Sequence, residues 1–258
     1  MLIDSHCHLD RLDLSPWNGD LAAMLDQASA NDVQKFLCVS IDMENVHAVK
    51  SMAAEHACVF ASVGTHPNET ETPEPSVDEL LRLADDPKVI AIGETGLDYF
   101  RSEGDLEWQR ERFRRHIAAA RSCRKPLIIH TRDSGADVLA MLREEKAADV
   151  GGVMHCFVDD WDAAQQAMDM DFYISFSGIV TFKNAAQVQD VARRVPLERM
   201  LVETDSPYLA PVPKRGKPNY PAYTRYVAEY IAGLRGISYQ ELADATTSNF
   251  HNLFSLDI

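Results

Sequence analysis

The chain has 258 residues, 46% of them hydrophobic, and carries 25 Lys and Arg against 40 Asp and Glu, for a net charge of −15. That length buries a core without disulfides or structural metals, and about 250 residues is the usual size of a single α/β barrel. The acidity argues against a long non-specific grip on nucleic acid, yet leaves a nucleic-acid substrate open, because bound divalent metals would reverse the field locally.

Eight short apolar runs recur along the chain: Leu2–Leu9, Lys35–Ser40, Cys58–His66, Val89–Leu97, Pro126–Thr131, Gly152–Phe157, Phe172–Ser177 and Met200–Asp205. Each is rich in Val, Ile, Leu or Phe without strict polar alternation, as strands of a parallel sheet covered on both faces are. Between them lie amphipathic helices. Asp105–Arg121 places Leu106, Phe113, Ile117 and Ala120 on one face, Ser134 marks a helix start, and Ser238 with Glu241 three residues later opens a closing helix over Ser238–Phe254. Strands alternating with helices predict a parallel (β/α)8 barrel, the TIM barrel, with residues 1–258 as one domain. An open doubly wound sheet would want a Gly-rich phosphate loop after an early strand, where this chain has His-Cys-His.

No basic and apolar leader precedes the first strand, and no run approaches the roughly 18 apolar residues of a membrane span. Five cysteines (Cys7, Cys38, Cys58, Cys123, Cys156) without a CxxC pair suit a reducing compartment, so the reading is cytoplasmic, with no membrane contact and no obligate protein partner.

The polar residues within the runs carry the chemistry. His6 and His8 are two apart on the first strand and so point to one side; Glu94 lies late in the fourth run, and His130, His155 and Asp205 end the fifth, sixth and eighth. In a (β/α)8 barrel those ends meet at one rim. Four imidazoles and two carboxylates suit Zn, Mn, Mg or Ni. Six ligands are more natural for two metals about 3.5–4 Å apart than for one, with Glu94 as the bridge.

Other residues get smaller roles. His66, in Gly-Thr-His-Pro after the third strand, is an orienting or substrate-contact candidate, and Asp98 and Asp133 are candidates to orient ligands. His47, His56, His116 and His251 read as surface or packing residues. Cys7 and Cys156, beside ligands, are turned by the pleat toward the helices.

The stretches Asp4-Ser-His-Cys-His-Leu-Asp10, Gly93-Glu-Thr-Gly-Leu-Asp98, His130-Thr-Arg-Asp133, His155-Cys-Phe157, Phe176-Ser-Gly-Ile179 and Val202-Glu-Thr-Asp-Ser-Pro-Tyr208 resemble the TatD family of metal-dependent hydrolases, within the amidohydrolase-like barrels, over essentially the whole chain. The resemblance implies a TIM barrel, a two-metal site and a cytoplasmic deoxyribonuclease. It also implies that His6, His8 and Asp205 hold one metal and His130 and His155 the other, bridged by Glu94. Some amidohydrolase-like barrels bridge with a carboxylated lysine on the fourth strand, and here that strand offers Glu94 instead.

Two metals would activate a water, with Glu94 and Asp205 as the catalytic carboxylates and Asp205 as a candidate to take the proton. Arg101, Arg132, Lys183, Lys214, Arg215 and Lys217 fall in loops beyond the rim and suit phosphates; Ser206 and Tyr208 offer hydroxyls, and Tyr99 and Phe100 offer stacking. With His66, Arg132, Ser206 and Tyr208 as substrate contacts, the expected substrate is a DNA end or short single strand, cut in a 3′-5′ exonuclease-like manner. The competing readings are a metal-dependent ester or amide hydrolase, acting on a lactone or an aminoacyl ester of tRNA, and a non-catalytic scaffold, against which the intact ligand set argues.

Overall fold

The computed structural model describes residues 1–256. Eight strands, β1 (Leu2–Cys7), β2 (Val33–Cys38), β3 (Val59–Val63), β4 (Val89–Asp98), β5 (Leu127–Arg132), β6 (Gly152–Met154), β7 (Phe172–Phe176) and β8 (Met200–Val202), form one parallel sheet in the order β1 to β8. The first and last strands close on each other: Asp205 N–H donates to the His6 carbonyl at 2.9 Å and His8 N–H to the Ser206 carbonyl at 2.8 Å. This is a (β/α)8 TIM barrel, as the run of apolar segments predicts.

Helices follow the strands as α1 (Leu21–Ala30), α2 (Val46–Glu55), α3 (Val77–Ala84), α4 (Glu107–Cys123), α5 (Gly135–Glu144), α6 (Trp161–Met168), α7 (Ala186–Arg194) and α8 (Thr224–Arg235); α9 (Tyr239–Phe254) is additional. No helix among the described residues is long and apolar enough to cross a membrane. Ser238 caps α9 by accepting from Glu241 N–H at 3.1 Å. Ser134 does not cap α5: its hydroxyl donates to the Leu97 carbonyl at 2.7 Å, fastening the end of β4 instead.

The barrel interior is apolar at its amino-terminal end, where Ile3, Leu37, Ile90, Ile128, Val153 and Leu201 pack with Phe250 and Phe254 of α9. The other rim is left for polar groups. A larger cluster fills the layer between sheet and helices. None of the five cysteines is paired.

Strand ends differ from the sequence reading in a way that matters. β1, β3, β6 and β8 stop short of the residues expected to end them, so His8, His66, His155 and Asp205 all lie just past a strand. Two strands also carry one extra residue against their neighbours. Asp4 and Cys7 pair with Phe36 and Cys38, and Ile92 and Thr95 pair with Leu127 and Ile129, so each span of three faces a span of two. Such a bulge re-aims the side chains within it. His6 and Glu94 sit in these bulges, so simple strand alternation is not what aims His6 and His8 together. Cys156, likewise, is past β6 in a left-handed turn (φ 45°) with Sγ 3.0 Å from Ser177 Oγ, and the pleat argument does not reach it.

Glycine makes the β4 bulge possible. Gly93 and Gly96 have φ of 145° and 142°, where other residues are strained. A Cβ at Gly93 would lie 2.6 Å from the Ile128 carbonyl oxygen, and one at Gly96 would collide with that of His130. The bulge's polar backbone is satisfied: Ser62 Oγ donates to Gly93 O at 2.6 Å, and Glu94 N–H to Ser40 O at 3.0 Å.

Gly96→Ala is therefore expected to cost about 1–3 kcal/mol in urea unfolding and to lower metal content by displacing His130. Gly233→Ala, in α8 with open space beside it, is expected to gain up to about 1 kcal/mol. Equal stability for the two variants would contradict the close approach at β4.

Candidate metal centre

The bulges and strand exits bring all six expected residues to one place. Glu94 is at the middle, its side chain 3% exposed, with its two oxygens facing different neighbours. Oε2 lies 3.3 Å from His6 Nε2 and 4.0 Å from His8 Nε2. Asp205 Oδ1 completes that side, 3.4 Å from His8 Nε2 and 3.8 Å from His6 Nε2. Oε1 lies 2.9 Å from His155 Nε2, 3.0 Å from His130 Nδ1 and 3.5 Å from His66 Nε2. One donor atom each from His6, His8 and Asp205 lies within 4.8 Å of the others, and the same holds for His66, Glu94 and His130.

This donor set fits divalent cations. Both ring nitrogens of His6 are buried without a hydrogen-bond partner among the described residues, which is costly unless something else engages them. The electrostatics agree. Burial works to raise the Glu94 carboxyl, yet the facing imidazoles, His155 foremost with a hydrogen bond from His130, hold it well below the usual carboxylate range. Burial pulls down His155, His8 and His130, and the facing carboxylates overcome it and raise all three. A cluster that draws protons onto its imidazoles is one that rewards any bound positive charge. His6 and His66 are the exceptions: burial pulls both down, His66 to about 3, leaving neutral imidazoles.

A family model described as TatD related DNase matches residues 3–255. The metal-dependent hydrolase YcfH of Escherichia coli K12 is 50% identical over 256 residues, spanning 99% of this chain and 96% of its own. The chain belongs to the TatD family of metal-dependent hydrolases. The crystal structure of YJJV, a TatD homolog from Escherichia coli K12, matches with a TM-score of 0.90 at 28% identity, covering 99% of this chain and 98% of that one. The 3′-5′ ssDNA/RNA exonuclease TatD of Klebsiella pneumoniae is 29% identical over 250 residues, 95% of each chain.

Behind this TatD-family centre stand carboxylates that fix the rings. Asp98 Oδ2 lies 3.1 Å from His130 Nε2, and Glu203 Oε1 lies 3.1 Å from His155 Nδ1; His8 Nδ1 faces the Val39 carbonyl at 3.1 Å. Each contact turns the ring's other nitrogen toward Glu94 or Asp205. Asp98, expected to orient a ligand, contacts the His130 ring and is itself held by Asn68 Nδ2 at 2.7 Å. Asp133 is exposed in a left-handed turn and makes no such contact among the described residues. Glu203 was missed because, inside an apolar run, it reads as strand; fully buried with Oε2 unpartnered, it is the strongest signal there. Asp4 was missed too. It accepts from the Thr204 N–H at 2.9 Å and the Thr204 hydroxyl at 2.5 Å, and burial pushes its carboxyl up to about 8.

His66 is mounted on a second network. Arg112 of α4, 1% exposed, donates to the His66 carbonyl at 2.7 Å and pairs with Glu74. His116, fully buried, accepts from Thr65 N–H at its Nε2 (3.0 Å), so its Nδ1 carries the proton and donates to Arg112 O at 2.8 Å. His116 is thus a hydrogen-bonded packing residue.

At the rim, Phe100, Tyr208 and Val212 are the exposed large hydrophobic residues, all on loops that follow β4 or β8. Arg132 lies over the Phe100 ring at 3.9 Å, and the Tyr208 ring is 6.1 Å from His8. Tyr99 is turned aside, its hydroxyl donating to Asp137 at 2.6 Å. Ser206 is fully buried, so its hydroxyl is not presented at the mouth.

Glu203→Gln keeps the shape and removes the charge behind His155. Divalent-metal affinity, measured by competition with a chromophoric chelator, is expected to fall about 10–100-fold with the barrel still folded. Unchanged affinity would mean that Glu203 does not support the metal.

Proposed function

We propose that the chain is a phosphodiesterase of the TatD deoxyribonuclease kind, trimming ends of single-stranded nucleic acid, with one divalent ion at His6, His8 and Asp205, another at His130 and His155, and Glu94 shared. The observation that carries the substrate is the state of the rim cations. Arg110, Arg121 and Arg199 elsewhere pair with carboxylates, although Arg82, Arg124, Lys146 and Arg193 do not among the described residues. Arg101, Arg132, Lys183, Lys214, Arg215 and Lys217 have no carboxylate partner among the described residues, although acidic side chains outnumber basic ones 40 to 25. Six cations without carboxylate partners on the loops around the candidate metal centre suit phosphates. The likeness to the Klebsiella pneumoniae exonuclease supports the same reading.

When bound, two such ions supply Lewis acidity at the scissile phosphate and bring the ionisation of water toward neutral pH. The residues do the rest. Asp205 is 14% exposed, against 3% for Glu94, and so is the carboxylate placed to take a proton from water entering the mouth. Glu94, closed off from solvent, holds the two halves of the centre in register. Arg132 and Phe100 receive phosphate and base on one side of the mouth and Tyr208 on the other, with His66 as a neutral donor or acceptor between. A narrow barrel mouth takes a strand end more readily than a continuous duplex, and the whole of residues 1–258 acts as one catalytic unit.

After chelation and restoration with Mn, Mg or Zn, end-labelled single-stranded DNA is expected to shorten from its 3′ end. Glu94→Ala is expected to lower that rate by about 100-fold or more. Inert DNA beside turnover of a carboxyl-ester panel would move the function to acyl hydrolysis.

Because His8, His130 and His155 sit above their ordinary pKa, metal uptake displaces protons from them. Affinity is expected to rise with pH across the histidine range and to weaken as pH falls. Calorimetric titration in two buffers of different ionisation enthalpy reads the protons released; a buffer-independent heat would count against the imidazole ligands.

A further inference from the structure

The connection from β8 to α8 carries a feature that the metal centre does not use. Trp17, in the loop after β1, meets Tyr220 edge-on at 4.8 Å between ring centroids; Tyr220 meets Tyr223 at 5.9 Å, and Tyr223 meets Tyr226 at 5.6 Å. Lys214 Nζ lies 5.4 Å from the Tyr223 ring and 5.9 Å from that of Tyr226. Trp17 packs against the hydrophobic core, but core packing does not account for the three tyrosines that follow it. Tyr230 and Tyr239, close by in the chain, lie against the hydrophobic core, whereas Tyr220, Tyr223 and Tyr226 are outside that packing and remain half-exposed.

The row is tied to the mouth of the barrel. The buried Asn219 donates from Nδ2 to the carbonyls of Thr204 (2.9 Å) and Tyr208 (2.5 Å), and its Oδ1 accepts from Tyr220 N–H at 3.0 Å. One side-chain amide therefore sets both Tyr208, beside His8, and the first tyrosine of the row.

We propose that this row is a track for the non-reacting stretch of a single-stranded nucleic acid, a proposal that rests on the phosphodiesterase reading above. The rings, set edge-on or tilted to one another, stay half-exposed and offer π surface to bases of any sequence, while Lys214, which lies over Tyr223 and Tyr226, meets the phosphates together with Arg215 and Lys217. A duplex keeps its base faces stacked inside and cannot use the rings. The strand enters along the row and reaches the metal centre past Tyr208, so oligonucleotides long enough to cover both bind more tightly than short ones.

The test uses the metal-loaded, full-length protein and fluorescein-labelled dT3 and dT12 with phosphorothioate links, read by anisotropy. The variants are Tyr223→Ser with Tyr226→Ser, and separately Lys214→Glu, a surface change that leaves the barrel intact. Each is expected to raise Kd for dT12 about tenfold while dT3 stays within twofold of wild type. Equal losses on both lengths, or none on dT12, would overturn the track. Wild-type protein that binds dT12 through the row and leaves ordinary phosphodiester dT3 and dT12 uncut supports the track and defeats the nuclease reading, so the two fail separately.

Discussion

One buried carboxylate organises this molecule. Glu94 splits its two oxygens between an imidazole group from β1 and another from β5 and the end of β6, in a place almost closed to solvent. A side chain cannot do this from a regular strand, because regular pleating aims it along one direction with one pair of neighbours. The extra residue in β4, the two glycines that let strands crowd there, and the Ser40 and Ser62 contacts that satisfy the displaced backbone all follow from that demand. So does the matching irregularity in β1, which delivers His6 to the same point.

Charge is layered around that centre. The innermost shell is acidic, with Glu94, Asp205, Glu203 and Asp98 drawing positive charge inward, onto imidazole in the apo state. Further out, two loop guanidiniums lie on aromatic faces: Arg132 over Phe100 and Arg215 over Phe182, both at 3.9 Å. The net charge of −15 disfavours non-specific adhesion of long anionic polymers.

The barrel and the six central residues were legible in the sequence because both obey local rules. Apolar runs without alternation announce covered parallel strands, and polar residues ending such runs must meet at one rim. What was hidden is whatever depends on register or on partners distant in the chain. The spacing of His6 and His8 led to the right place by the wrong geometry, since a bulge and a strand exit, not alternation, turn them inward. Ser134 carries the letter of a helix cap, but the end of β4 competes for its hydroxyl and wins. Glu203 stands where strand periodicity expects an interior residue, and only its burial beside His155 gives it away.

His66 shows how far such dependence reaches. Its ring borders Glu94, but its backbone is held by Arg112, and the preceding Thr65 by His116, both projecting from one face of α4 at a spacing of four. A helix on the outside of the barrel thereby fixes a loop at the mouth, through a guanidinium that is buried only because Glu74 and two carbonyls satisfy it. Leaving such a charge unpaired would be costly, so the loop cannot drift without breaking the whole set. The imidazole beside Glu94 is in this way tied to the rigidity of the scaffold.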